Sequence, residues 1–179
     1  MYIKIHRGTQ QIGGNIIEIG TAKTKLLFDA GANLPPLDDS AYRDSIEIEG
    51  LTCGVPSFDA VFVSHHHNDH CGLLERILPD IPVWAGRETS RILGVISDFT
   101  SRIPSRITNF FVGGGNCLPT RIGDITITPI GVDHSAYDAY MFLIQAEGKN
   151  VLYTGDYRAV EEVPDTVQSL IGIAGKLDV

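Results

Sequence analysis

Cysteine is scarce in this 179-residue chain: Cys53, Cys71 and Cys117 are odd in number and show no CxxC spacing. Neither a disulfide framework nor a cysteine-ligated zinc ribbon is implied. Long apolar runs are missing as well. No stretch approaches the roughly 20 apolar residues that span a bilayer, and the N-terminus carries no charged leader ahead of an apolar core, so a cytoplasmic protein without a membrane partner is expected. Positive charge is in deficit, with 14 Lys and Arg against 22 Asp and Glu and a formal net charge of −8. That balance argues against a broad basic surface for duplex nucleic acid and leaves room only for a local basic channel. The glycine-rich stretch Gly8-Thr9-Gln10-Gln11-Ile12-Gly13-Gly14 has neither the Lys-Ser/Thr of a phosphate loop nor the GxGxxG pattern, which removes a nucleotide reading.

What the chain does have is histidine in one place. Four of its six histidines fall within Ser64-His65-His66-His67-Asn68-Asp69-His70-Cys71-Gly72. The preceding Phe58–Val63 is a β-branched and aromatic run, and Asp69 to Leu78 has helical apolar spacing at Leu73, Leu74, Ile77 and Leu78. The cluster is thus expected on a strand-to-helix turn. In extended backbone alternate side chains share a face, so His65 and His67 reach one ion while His66 turns away, and Asp69 and His70 aim at a second position. Imidazole and carboxylate donors suit zinc and similar divalent metals. Burying four such groups without a metal or other partners would leave polar atoms unpaired, which is what sets this cluster apart from a lone packed histidine.

His65-X-His67-X-Asp69-His70 after an apolar strand resembles the signature of the metallo-β-lactamase fold. Asp133-His134-Ser135-Ala136-Tyr137-Asp138-Ala139 and Thr154-Gly155-Asp156-Tyr157-Arg158 are similar to their counterparts in its β-CASP branch, the ribonuclease J-like group. The resemblance implies an α/β fold, the four-layer αββα sandwich with mixed, largely antiparallel sheets and flanking helices. It also implies a ligand set: His65, His67 and His134 for one ion, Asp69, His70 and a bridging Asp156 for the other, zinc being expected at two per complete site and manganese the other candidate. Asp29, in Leu26-Leu27-Phe28-Asp29-Ala30-Gly31, then orients the ligand loop through hydrogen bonds. Asp69 and Asp156 are the catalytic candidates, in a metal-assisted hydrolysis of a phosphorus or carbonyl centre.

Along the chain, 1–179 is expected to form a single domain, its apolar content of 43% being enough for a core. Strands are expected at Tyr2–Arg7, Asn15–Gly20, Lys25–Asp29, Ile81–Ala85, Asp124–Ile130, Tyr140–Ala146 and Asn150–Tyr153, the last two forming a hairpin through Glu147-Gly148-Lys149. A helix is expected over Gly86–Phe99, with Ile92, Leu93 and Ile96 on one face and Trp84 in the core before it. Residues 32–57 read as a surface excursion with one short helix, and Ser101–Asn116 as a loop whose Arg102 and Arg106 fit contact with a polyanion and a plain solvated loop equally well. The family pattern asks for a further histidine downstream of Asp156, and none follows Tyr157, so the domain is expected to be incomplete at its C-terminal end. A homo-oligomer or a missing C-terminal part is the expected protein partner. Three function classes stay open: hydrolysis of RNA or single-stranded nucleic acid, hydrolysis of a small thioester, lactone or lactam, and a non-catalytic metal-binding fragment.

Overall fold

The computed structural model describes residues 1–34, 44–100, 107–112, 117–158 and 177–179. Among the described residues, ten strands form two sheets. The first has six strands in chain order: β1 (Tyr2–Arg7), β2 (Ile16–Gly20), β3 (Lys25–Phe28), β4 (Ala60–Phe62), β5 (Val83–Ala85) and β6 (Asn109–Phe110). Its first three strands pair antiparallel and β3 to β6 pair parallel. The second sheet is antiparallel, in the order β10 (Lys149–Tyr153), β9 (Ala139–Ala146), β8 (Ile125–Val132), β7 (Thr120–Ile122). The β9–β10 connection is a two-residue turn with Glu147 at φ 52° and Gly148 at φ 70°, the doubly left-handed turn that suits strand twist, so Lys149 belongs to the strand and not to the loop.

Strand alternation divides the core. Leu26 and Phe28 of β3 and Ala60 and Phe62 of β4 face the second sheet, where they meet Ile125, Ile127, Phe142 and Ile144. Leu27, Val61 and Val63 face the other way, onto Leu73, Leu74, Ile77, Ile48 and Leu51. These strands are therefore buried on both faces, as a continuous apolar run requires. Between the sheets Phe28 stacks on Phe62 at 5.4 Å between ring centroids, and Trp84 stacks on the same Phe62 at 5.9 Å. Trp84 is thus a packing residue, half-buried at the sheet interface.

The helix expected from Asp69 to Leu78 does not form as one element. It is a single turn, α1 (Asn68–Cys71), then Gly72 and Leu73, then a 3₁₀ turn over Leu74–Arg76. The reason lies in the backbone acceptors. The carbonyls of Asn68, Asp69 and His70 receive the N–H groups of Ala32, Asn15 and Ala30, at 3.0, 3.1 and 2.9 Å, and Leu73 donates back to Ala30 at 2.8 Å. Leu73, Leu74 and Ile77 are nonetheless buried, so the apolar spacing reported their burial while the hydrogen bonding went elsewhere.

The second helix, α2, runs Arg87–Thr100. Leu93 packs on the inner core, but only Thr89 and Ser97 are buried on it, and Val95 and Phe99 are exposed. The apolar face expected of Ile92, Leu93 and Ile96 is therefore only partly covered. In the 32–57 excursion, 44–57 is built of turns and a bridge between Glu49 and Cys53, with no helix among the described residues; residues 35–43 lie outside them. Arg102 and Arg106 lie outside them as well. Among the described residues no helix is long and apolar enough to cross a membrane.

Candidate metal centre

The centre is built on Asp29, at the end of β3. Asp29 is fully buried and has φ 59°, a left-handed conformation that Asp tolerates better than most residues and that concentrates at functional sites. Its carboxylate takes four donors. The Ser64 N–H reaches Oδ1 at 2.7 Å, while the Ser64 hydroxyl, the Tyr153 hydroxyl and His70 Nδ1 reach Oδ2 at 2.8, 2.6 and 2.7 Å. These come from the end of β4, from β10 and from α1, so one buried acid fastens three segments from both sheets.

Asp29 also fixes tautomers. With its hydroxyl hydrogen given to Asp29, Ser64 Oγ accepts from His65 Nδ1 at 2.9 Å. His65 therefore presents Nε2 as a bare lone pair, and that atom is buried with no protein partner. His70, donating through Nδ1 to Asp29, likewise turns Nε2 inward, where the Asn15 amide lies 3.2 Å away.

Two groupings close around these nitrogens, each with ligand atoms within 4.8 Å of one another: His65, His67 and His134; and His65, His70 and Asp156. His134 Nε2 stands 3.3 Å from His67 Nδ1. Asp156 lies between the groupings, with Oδ1 3.4 Å from His70 Nε2 and Oδ2 3.8 Å from His134 Nε2. Asp69 flanks the second grouping, its carboxylate 3.8 Å from His70 Nε2. Five of the six candidate ligands thus close around one small volume, with His65 in both groupings, and Asp69 lies beside it without entering either. Gly31 makes the approach possible, because a Cβ there would overlap the Asp69 carbonyl.

The electrostatics favour a neutral imidazole at His65 and at His134. Burial, reinforced by the neighbouring His70, His67 and His134, pushes the pKa of His65 down to about 2. Burial also lowers that of His134, against the upward pull of Asp156. Burial acts downward on His70 too, but the Asp29 hydrogen bond and the charges of Asp29, Asp156 and Asp69 outweigh it and raise the pKa. Inward-facing imidazole nitrogens, of which His65 Nε2 is a bare lone pair, fit a borderline divalent metal such as zinc when set beside carboxylate oxygens. The orphaned Nε2 of His65 is the atom that most needs such a partner.

His66 belongs to neither grouping, as strand alternation leads one to expect, and burial lowers its pKa. The residues that sequence reasoning did not single out are Ser64, Asn15, Tyr153 and Asp138. Ser64 and Asp138 stood inside quoted motifs without a role, and Asn15 and Tyr153 carry no local signal at all.

A family described as the β-lactamase superfamily domain matches residues 24–174. Ribonuclease J of Helicobacter pylori (strain ATCC 700392 / 26695) is 24% identical over 163 residues, covering 84% of this chain and 22% of that protein. Integrator complex subunit 11 of Gallus gallus is 27% identical over 167 residues, covering 83% of this chain and 28% of its own length. The chain therefore spans about a quarter of the curated relatives it matches. Among solved structures, a protein of unknown function from Enterococcus faecalis V583 superposes with a TM-score of 0.72 at 27% identity, covering 87% of this chain and 43% of that one.

Proposed function

The chain belongs to the β-lactamase superfamily, and from that premise we propose that it serves as a metal-dependent hydrolase of phosphodiester bonds in RNA or single-stranded nucleic acid, with zinc as its metal. The observation that carries the reading is Asp156, which offers one oxygen to each histidine grouping. The name of the Helicobacter pylori relative supports the substrate class. Among the exposed residues beside the ligands, Tyr137 beyond His134, and Tyr157 and Arg158 beyond Asp156, support a single strand over a duplex. Exposed rings can stack on unpaired bases, and a net charge of −8 argues against a broad basic surface for a duplex.

His65, His67 and His134 would hold one ion, and His70, Asp69 and Asp156 the other, with Asp156 shared. Such ions, when bound, supply Lewis acidity, acidifying water and absorbing negative charge on the scissile group. The chain's own residues do the rest. Asp29 holds the Nδ1 proton of His70 and, through Ser64, that of His65, so both rings present bare Nε2 atoms. Asp69, partly exposed at the margin, orients the attacking water, and Asp156 keeps the two groupings in register.

The test is cleavage of a short labelled single-stranded RNA by the zinc-loaded protein, with metal counted per chain by elemental analysis. Cleavage that stops with chelator and falls at least about tenfold in Asp156→Asn is the expected result. The acidic surface favours a second substrate class, small thioesters and lactones. A fully loaded protein that turns these over and leaves RNA intact would replace the first reading with that one. Metal retained without turnover of either would leave a binding fragment.

A further inference from the structure

Helix α2 lacks a cap of its own. The position before Arg87, where Ser, Thr, Asp or Asn would accept the second and third amides of the helix, is Gly86. Those amides, on Glu88 and Thr89, donate instead to Oδ2 of Asp138, at 2.9 Å each, from about 50 residues further along the chain. The Tyr140 hydroxyl donates to Oδ1 at 2.6 Å, and the hydroxyl of the fully buried Thr89 donates to the Asp138 carbonyl at 3.2 Å. A Cβ on Gly86 would overlap the Asp138 carboxylate, so the glycine is what admits it.

Asp138 stands at φ 67° at the end of the β8–β9 loop, four residues after His134. At its start the loop is held by the Arg158 N–H, which donates to the Asp133 carbonyl at 2.8 Å; its end is held by Asp138. Asp133, Ser135 and Tyr137 are exposed, and only Ala136 is buried among residues 133–138. A serine or threonine at position 86 would stabilise α2 equally well, so capping from the loop adds nothing for the helix. What it adds is a fixed place for the loop.

Resting on the metal-centre reading above, we propose that Asp138 is a positioning residue: by capping α2 in place of Gly86, it sets where His134 meets His67 and thereby the quality of the first metal grouping.

Competition of the protein with a chromophoric chelator for the first equivalent of zinc, alongside thermal unfolding of the metal-free form, tests this. Asp138→Ala should weaken zinc binding about tenfold or more. Asp138→Asn keeps an oxygen for the two amides and tolerates the left-handed backbone, and should stay within about threefold of the parent. The decisive variant is Asp138→Ala combined with Gly86→Ser, which returns a local cap to α2. Its Tm should recover while its zinc affinity stays low. Recovery of both together, or parental affinity in a folded Asp138→Ala, would overturn the proposal. If Asp138→Ala does not fold, Gly86→Ala takes its place, since it displaces the carboxylate without removing it, with the same expected loss; parental affinity there would equally overturn it. A parent protein that binds no zinc overturns the metal-centre reading itself and this inference with it.

Discussion

Asp29 concentrates more of the site's organisation than any ligand does. Four donors converge on a carboxylate with no exposure, so removing it strands all four inside the protein. Asp29→Ala should destabilise the fold by about 3 kcal/mol or more, since each unsatisfied buried polar group costs about 1–3 kcal/mol, as urea unfolding would measure. Asp29→Asn should fold better yet lose about 10- to 100-fold in zinc affinity, because its amide cannot accept from Ser64, Tyr153 and His70 together. An unchanged zinc affinity in Asp29→Asn would remove Asp29 from the site. At this scale the sequence was informative where chemistry clusters locally. The histidines at 65, 67 and 70 announce themselves by spacing. His134, Asp156 and Asp29 were legible through the family resemblance, and the structure gathers them around the same volume. Tyr153 was not legible, because its partner is 124 residues away and no periodicity encodes a hydroxyl's target.

Among the elements, eight of the ten strands described were readable because β-branched and aromatic runs leave few alternatives, whereas β6 lies inside the stretch read as a loop and β7 was not anticipated, both being only two or three residues long. The helix after His67 was misjudged because its carbonyls serve Asn15, Ala30 and Ala32, a competition that exists only once the chain is folded. The β1–β2 pair makes a further prediction. Glu18, buried on β2, accepts from the Tyr2 hydroxyl at 2.6 Å and lies 2.7 Å from His6 Nε2. Burial alone would raise its pKa, but these hydrogen bonds and the His6 charge outweigh it and the pKa falls below the ordinary carboxylate value. A lowered folded pKa means that the contribution is complete above the unfolded value, about 4.3, and disappears as pH falls through the folded one. Glu18→Gln should therefore flatten the acid limb of a Tm-versus-pH curve below about pH 4.3 and lower the plateau above it. Parallel curves for the two proteins would show that Glu18 carries no such linkage. Gly31→Ala should be more damaging than its size implies, since the new methyl overlaps the Asp69 carbonyl; soluble protein with parental Tm would contradict the close approach seen there.

For the whole molecule, the ligands divide between the sheets. His65, His67 and His70 follow β4, His134 follows β8, and Asp156 follows β10. An ion held among them would link one sheet to the other and so favour the folded protein, in which all the ligands are brought together. At free zinc about a hundred times Kd, stability should rise by about 2.7 kcal/mol, visible as a Tm that climbs with zinc and drops with chelator. A Tm indifferent to both would mean that no tight site exists.

That division also has a temporal consequence. Asp29, Ser64 and His70 lie within one stretch of about forty residues, whereas Tyr153 and Asp156 are separated from Asp29 by more than a hundred. Contacts of such separation close late, because the intervening chain must first be ordered. The half of the centre on the first sheet can be in place while the other half is still unfolded. With zinc bound as proposed, its capture during refolding would time the docking of the two sheets, and its lag behind strand formation would measure how long the histidine cluster waits for Asp156.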